Sequence, residues 1–180
     1  MAVLIWPFKI LALLGACLTL FFNVVLLLRI PLPADWGVPM DMLLGWLSGG
    51  IFVVWIPTVL LVARMQNAQG TMRMSWRELL AGCPEWMRYT VYGLFAYALI
   101  NFLFMIGTGV NDSLPNPALQ PWRVMMGHGM LFYGAAFAVM YSVTQKPRLM
   151  KTRTCVAGHA VGMNDSFCPQ CGQKLLPEDD

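Results

Sequence analysis

The sequence predicts an all-α integral membrane protein in which a bundle of four helices crosses the bilayer and a short polar segment follows the last helix. Two observations support this fold class. Hydrophobic residues make up 58% of the 180 residues and charged residues only 12%, whereas soluble proteins contain about 25% charged residues. The apolar residues are also concentrated in four long runs that contain no Asp, Glu, Lys or Arg.

The four apolar runs define the predicted membrane helices. They cover residues 10–28, 42–63, 89–109 and 124–143. Each run has about 20 residues, the length that an α-helix needs to cross ~30 Å of hydrocarbon. Because backbone groups inside a bilayer must satisfy their own hydrogen bonds, helices are the structure expected of such runs.

The chain then divides into three parts. Residues 1–145 form the predicted four-helix transmembrane domain, and residues 146–153 form a basic juxtamembrane linker. Residues 154–180 form a small cysteine-containing module with an acidic end.

The basic residues are distributed unequally between the two ends of the predicted bundle. The loop after the second run and the segment after the fourth carry most of them: Arg64, Arg73, Arg77, Arg88, Lys146, Arg148, Lys151 and Arg153. The other two loops hold one basic residue each, Arg29 and Arg123. Because Lys and Arg are retained on the cytoplasmic side, this asymmetry places both termini and the middle loop in the cytoplasm.

The middle loop contains a helix-start signal in the motif SWRE, residues 75–78. In such a capping box the Ser75 side chain accepts a hydrogen bond from the Glu78 amide, and the Glu78 side chain accepts one from the Ser75 amide. We predict a short helix that extends to Gly82. Its apolar side chains are expected on the membrane surface, and they are Trp76, Leu79 and Leu80.

Three of the five cysteines and one of the two histidines lie near the C-terminus, in a metal-ligand pattern. Cys155 and His159 are separated by three residues, and Cys168 and Cys171 by two. A Cys-x2-Cys pair places two thiolates on one tight turn, and the first pair can complete a tetrahedral site with three sulfurs and one nitrogen. Soft thiolates with imidazole favour zinc. A structural disulfide is not expected in the reducing cytoplasm.

Both halves of this pattern resemble zinc ribbons. FCPQCG, residues 167–172, resembles the metal-binding turn of zinc ribbons and rubredoxin-like modules, and CVAGH, residues 155–159, resembles the first half of short bacterial zinc ribbons. The resemblance covers residues 154–176 and implies a structural zinc ion. A metal-free disordered tail and an iron or redox role are the alternatives. Together with the apolar runs, the resemblance favours a multi-pass protein of a bacterial cytoplasmic membrane.

A segment of this size has almost no core of its own. Its apolar side chains are Val156, Val161, Met163, Phe167, Leu175 and Leu176. Modules this small generally need a metal or disulfides to fold. We therefore expect zinc binding and folding of the segment to be one event.

Each predicted membrane helix carries one polar residue at a similar depth in the outer half of the bilayer. These residues are Asn23, Ser48, Asn101 and His128, about 8–12 Å from the outer helix ends at 1.5 Å per residue. One interpretation is hydrogen bonding between helices. A second is a small site for a ligand, quinone or lipid, open to the outer face. A copper or haem site is the third interpretation, because thioethers with imidazole can hold Cu(I). Five methionines lie at similar depth: Met40, Met42, Met105, Met125 and Met126.

Small residues and one proline mark further features of the helices. Gly45 with Gly49, and Gly134 with Ala138, are spaced so that a second backbone can approach closely. These pairs fit either packing within the chain or a homo-oligomer. Pro57 removes one backbone hydrogen bond from the second helix, which suggests a kink or hinge.

The sequence favours a non-enzymatic role. It shows no nucleophile–base pair, no phosphate-binding glycine loop and no paired carboxylates within the apolar runs, and a net charge of +3 does not predict nucleic-acid binding. We expect an adaptor or accessory subunit whose zinc ribbon binds a cytoplasmic protein, with anionic lipids at Lys146, Arg148, Lys151 and Arg153. A small transporter or sensor that uses the polar layer around His128 is the alternative. A membrane electron-transfer or metal-handling protein is the second alternative.

Overall fold

The computed structural model describes residues 2–28, 30, 40–69, 74–108, 119–162 and 165–175, and they are mostly helical. The helices are α1 (Ala2–Leu27), α2 (Met40–Gln69), α3 (Trp76–Leu79), α4 (Glu85–Thr108) and α5 (Leu119–Gln145). A 3₁₀ turn (Pro147–Met150) and the strands β1 (Arg153–Thr154) and β2 (Ala160–Val161) follow. Several residues used in the sequence predictions lie outside the described part: Arg29, Arg73, Met163, Leu176 and 177–180, together with the side chain of Met40.

Four helices, α1, α2, α4 and α5, are long and apolar enough to cross a membrane, as predicted. Each of them is longer than its apolar run, and α1, α2 and α5 continue past the charged residues Lys9, Arg64 and Arg123 respectively. A charge does not end a helix here because long cationic side chains can extend toward lipid headgroups and water. α2 is also continuous through Pro57.

Helix α5 is the centre of the bundle and contacts each of the other three long helices. In the most apolar 18-residue stretch of α5, 61% of the residues are buried. The corresponding stretches of α2 and α4 are each 17% buried. The fully or almost fully buried residues of α5 include the small side chains of Ala135, Ala136 and Ala138. Small side chains let neighbouring backbones approach, and the larger apolar side chains of the outer helices are left on the outside of the bundle.

Tyr133 joins three of the long helices. A Cβ atom built on Gly15 of α1 would lie 2.5 Å from the Tyr133 ring, so that only glycine leaves room for the ring at this position. The Tyr133 hydroxyl donates to the Leu47 carbonyl of α2 at 2.7 Å. A buried phenol is therefore both packed and hydrogen-bonded.

The two small-residue pairs differ in their surroundings. A Cβ atom on Gly134 would lie 2.9 Å from Leu94 Cδ1, and Ala138 is fully buried, so this pair packs within the chain. Gly45 and Gly49 would meet nothing within 4 Å. Their close-approach pattern is not used for packing among the described residues.

The capping box in front of α3 is confirmed. The Glu78 amide donates to Ser75 Oγ at 3.3 Å, and the Ser75 amide donates to Glu78 Oε2 at 2.8 Å. The prediction that Leu79 and Leu80 lie on the membrane surface is wrong, because they are 7% and 0% exposed. α5 covers Leu80, and the 3₁₀ turn covers Leu79. Trp76 alone of the three remains half-exposed.

The turn after α3 lies directly against α5. The Gly82 amide donates to Ser142 Oγ at 2.9 Å, and the Cys83 thiol donates to the Ala138 carbonyl at 3.1 Å. A Cβ atom on Gly82 would overlap the backbone of Ser142. Glycine is therefore required here for a backbone-to-backbone approach that holds the α3–α4 connection on α5.

The segment after α5 is packed rather than extended. Leu149 of the 3₁₀ turn is fully buried with Met65, Leu79 and Val143, and Ile5 of α1 packs against the same cluster. The Gln69 side chain donates to the Leu149 carbonyl at 3.4 Å. The start of α1, the end of α2 and the beginning of the C-terminal segment therefore lie at one end of the bundle.

Candidate metal centre

Four side chains of the C-terminal segment form a Cys3His cluster: Cys155, His159, Cys168 and Cys171. Their candidate ligand atoms all lie within 4.8 Å of one another. Cys155 Sγ is 3.6 Å from His159 Nδ1 and 3.8 Å from Cys171 Sγ, and Cys168 Sγ is 3.8 Å from His159 Nδ1. A tetrahedral ion with bonds of about 2.3 Å to sulfur and about 2.0–2.1 Å to nitrogen requires edges of about 3.8 Å and about 3.6 Å. The cluster can therefore hold a metal ion.

The first two ligands come from the hairpin of β1 and β2. The strands are antiparallel, with Thr154 opposite Ala160. The Cys155 amide donates to the His159 carbonyl at 2.9 Å, and the Gly158 amide donates to the Cys155 carbonyl at 2.9 Å. Gly158 has a φ of +83°, a left-handed conformation that favours glycine. This tight turn brings both side chains to the same side of the hairpin.

The other two ligands come from a second tight turn. The Gly172 amide donates to the Cys168 carbonyl at 2.8 Å, and the Cys168 amide donates to the Gln173 carbonyl at 2.8 Å. Gly172 has a φ of +67°, which is the conformation expected of the glycine after the second cysteine. Two turns of similar construction thus face each other across the cluster.

The electrostatic environment of the second turn favours one thiolate. Desolvation opposes ionisation of Cys168, but hydrogen bonds from the backbone of Cys171 and Gln170 outweigh it and lower the pKa of the thiol to about 6. For Cys171 the backbone of Gln173 lowers the pKa, but the neighbouring sulfurs of Cys168 and Cys155 outweigh this effect and raise it. Close thiolates repel one another, so a cation between them favours ionisation of the whole set.

Metal retention by the cluster should depend on pH. Because the pKa of Cys168 is lowered on folding, the stabilisation from its thiolate is fully present above the usual thiol pKa of about 8.5 and is lost as the pH falls through about 6. We expect the metal content of the purified protein, measured by mass spectrometry after dialysis at a series of pH values, to fall as the pH is lowered. A content that is constant from about pH 8 to about pH 4, or that rises on acidification, would contradict this expectation.

The C-terminal segment, residues 153–175, has a very small core. Cys155, Val161 and Cys168 are buried, with Leu175 packed against them. Of the apolar side chains available for this core, Val156 and Phe167 do not contribute, because they are 91% and 58% exposed. The inner side of each turn is occupied by the ligand sulfurs, which leaves these apolar side chains outside. So few buried side chains are typical of small modules that need a metal ion or disulfides to fold.

The remaining two cysteines lie away from the cluster. Cys17 is exposed on α1, and Cys83 is buried against α5. Burial raises the pKa of the Cys83 thiol to about 11, so it remains protonated and unreactive. Neither belongs to the group of residues that can hold a metal ion.

Two of the polar residues predicted inside the bundle come together at Gly127 of α5. A Cβ atom built on Gly127 would lie 3.5 Å from Asn101 Nδ2 and 3.7 Å from Asn23 Nδ2. Tyr97, which the sequence interpretation missed, donates its hydroxyl to Asn23 Oδ1 at 2.6 Å. Its position four residues before Asn101, on the same face of a helix, is the signal that could have identified it. We call Asn23, Tyr97, Asn101 and Gly127 the polar junction.

The other two predicted polar residues have different surroundings. His128 is half-buried beside the polar junction; its Nδ1 atom is 2.9 Å from the Val124 carbonyl, and its ring packs edge-on against Phe102. Ser48 donates to the Leu44 carbonyl of its own helix at 2.9 Å.

The methionines considered for copper binding have different surroundings from one another. Met42 and Met125 are 51% and 42% exposed. Met126 is buried in an apolar cluster with Phe22 and Leu44. These positions are typical of lipid-facing and core side chains rather than of ligands to one ion.

Comparison of the chain with protein-family models, with curated proteins and with solved structures gives no match. The function is therefore argued from the Cys3His cluster and the bundle that carries it.

Proposed function

We propose that the chain is an integral membrane adaptor whose C-terminal segment is a structural zinc ribbon that binds a cytoplasmic protein. The observation that carries this proposal is the closed set of three sulfurs and one nitrogen within 4.8 Å. The bundle anchors the ribbon to a membrane, and the ribbon presents a rigid surface to the partner.

The donor set and its geometry support zinc. Three thiolates and one imidazole are soft and borderline ligands that zinc prefers, and three of the six interligand distances, at 3.6–3.8 Å, suit its bond lengths. Four protein ligands complete a tetrahedral shell and leave no position for water or substrate. Such a site stabilises a fold rather than catalysing a reaction.

The charges at the two ends of the bundle support the orientation. The end that carries the 3₁₀ turn and the ribbon also has the described basic residues Arg64, Arg77, Arg88, Lys146, Arg148, Lys151 and Arg153. Arg123 lies near the start of α5, at the opposite end. The excess of basic residues beside the ribbon is the distribution expected of a cytoplasmic side. The same residues, where they follow α5, provide positive charge for anionic lipid headgroups.

The ribbon surface supports a protein partner. Val156 and Phe167 project from a segment in which neither is needed for the small core, and their exposed fractions are 91% and 58%. Aromatic side chains such as Phe167 are enriched in the cores of protein interfaces, and Val156 adds exposed apolar surface on the same segment. We therefore propose these two side chains as the contact surface of the adaptor.

The membrane placement has its own test. The full chain should sediment with membranes and resist extraction by alkaline carbonate, as expected of helices that cross the bilayer. A fluorescent protein fused after residue 180 should be fluorescent in cells, whereas a C-terminal alkaline phosphatase fusion should be inactive. The reverse pattern of the two fusions would place the ribbon outside and refute the orientation.

The partner is tested by co-purification from mild detergent. The full chain should recover a cytoplasmic protein that is lost when Val156 and Phe167 are both changed to Ser, with the zinc content unchanged. The matched control is Gln170→Ser, an exposed polar position on the second turn of the same segment. If the double variant recovers the same proteins as the unaltered chain, the proposed contact surface is wrong; if Cys168→Ser does so as well, the adaptor proposal is wrong.

A further inference from the structure

The polar junction contains a buried hydrogen-bond donor that is not used. Asn101 is 7% exposed, and its Nδ2 atom has no hydrogen-bond partner in the described part of the chain. A side-chain amide nitrogen carries two N–H groups, so two donors are buried at this point without an acceptor. Such groups are costly to bury in an apolar bundle.

A second amide faces the same point. An amide nitrogen has two N–H groups, and Asn23 Nδ2 donates one of them to the Arg123 carbonyl at 3.2 Å. Gly127 leaves room between the two amides. A Cβ atom there would be 3.5 Å from Asn101 Nδ2, 3.7 Å from Asn23 Nδ2 and 3.4 Å from Tyr97 Cε1, which are ordinary contact distances. Gly127 therefore leaves a gap beside α5, large enough for a methyl group, that both amides face.

We propose that this space takes the carbonyl oxygen of an apolar molecule that enters from the bilayer. A carbonyl oxygen offers two lone pairs and no hydrogen atom, so it matches a point at which donors converge. The two amides and the phenol of the polar junction carry no charge, which favours a neutral acceptor over an anion in this apolar environment. The proposal rests on the proposed membrane placement of the four long helices.

We place the entrance to this space between α4 and α5. Phe102 and His128 follow Asn101 and Gly127 directly in sequence, and their rings contact each other across the two helices with centroids 5.9 Å apart. Phe102 is 41% exposed and His128 is half-buried, so this ring pair borders the outer surface of the bundle. A flat or chain-like apolar molecule can lie along this pair with its carbonyl group directed inward. A quinone ring and the ester group of a glycerolipid share this chemistry.

The proposal is tested with two variants and one matched control. Gly127→Ala fills the space with a methyl group at ordinary contact distances, and Asn101→Leu removes the amide. Gly93→Ala makes the same glycine change on α4, where a Cβ atom meets nothing within 4 Å. Each full-length protein is purified in mild detergent. Decylbenzoquinone is titrated by quenching of tryptophan fluorescence, and retained phosphatidylglycerol is counted by native mass spectrometry.

We expect the unaltered protein and Gly93→Ala to bind one of the two probes, and both junction variants to bind it about tenfold more weakly, the effect of one lost hydrogen bond. The probe that responds identifies the source of the carbonyl group. Equal binding by all four proteins, or no binding of either probe to the unaltered protein, would overturn the proposal. Helical content by circular dichroism and unchanged zinc content show that each variant is folded. Because the ribbon is not altered, failure here is distinct from failure of the adaptor proposal.

Discussion

Removal of the metal is expected to unfold the C-terminal segment and to leave the four long helices intact. The described residues of the segment include three buried side chains, and two of them are the candidate ligands Cys155 and Cys168. Binding of structural zinc contributes about 10–16 kcal/mol in small modules, far more than such a core provides. Cys168→Ser should therefore give the same result as a chelator. Nuclear magnetic resonance of the protein in detergent should show collapse of the dispersed signals of residues 153–175.

The control for this experiment is Cys17→Ser, which removes an exposed thiol from α1. It should retain one metal ion per chain and the dispersed signals. Limited proteolysis gives a second measure, because cleavage within the segment should accelerate for Cys168→Ser and not for the control. A segment that keeps its resonances after complete removal of the metal would show that the metal does not stabilise the fold.

Leu149→Ala is expected to release the 3₁₀ turn from the bundle. Leu149 is fully buried between α2, α3 and α5, and its carbonyl accepts a hydrogen bond from Gln69. Replacement of a buried Leu by Ala costs about 2–5 kcal/mol, because apolar contacts are lost and a cavity remains. The variant should denature at a lower temperature in detergent and should be cleaved faster by trypsin at the basic residues between α5 and the ribbon.

The matched control is Leu60→Ala on α2, where the leucine is 65% exposed and no cavity can form. Metal content should stay unchanged in both variants, because neither residue belongs to the Cys3His cluster. Equal cleavage rates for Leu149→Ala and the unaltered protein would show that the turn does not depend on this contact.

The features that the sequence predicted correctly depend on neighbours close in the chain. The capping box of Ser75 and Glu78 joins residues three apart. The turns that carry the metal ligands are specified by short spacings and by Gly158 and Gly172. The long helices follow from the length and composition of the apolar runs alone.

The features that the sequence did not predict depend on which elements lie next to each other. Leu79 and Leu80 follow a helix-start signal in a loop, which suggests apolar side chains on the membrane surface. In the structure α5 covers Leu80, and the 3₁₀ turn covers Leu79. Val156 and Phe167 resemble core residues by composition, but the ligands occupy the inner side of their turns. No local pattern specifies either arrangement.

The central position of α5 could have been predicted from the composition of its apolar run. Its run contains Gly134, Ala135, Ala136 and Ala138, and its mean hydropathy of 1.3 is lower than the 2.6 of α1. A helix that is less apolar and rich in small residues is poorly suited to lipid and well suited to contact with other helices. Comparing the four runs with one another would have identified it.

The packed 3₁₀ turn also limits the distance from the bilayer at which the ribbon could hold a bound protein. Only a few residues separate Leu149, which is held in the bundle, from Cys155, the first candidate ligand. Even fully extended, this connection spans about 20 Å. Under the proposed function, a protein bound to the ribbon would be kept within a thin layer beside the lipid headgroups and would not be carried on a long tether. In this layer the chain would favour targets that already approach the membrane, such as the inward-facing loops of a neighbouring membrane complex.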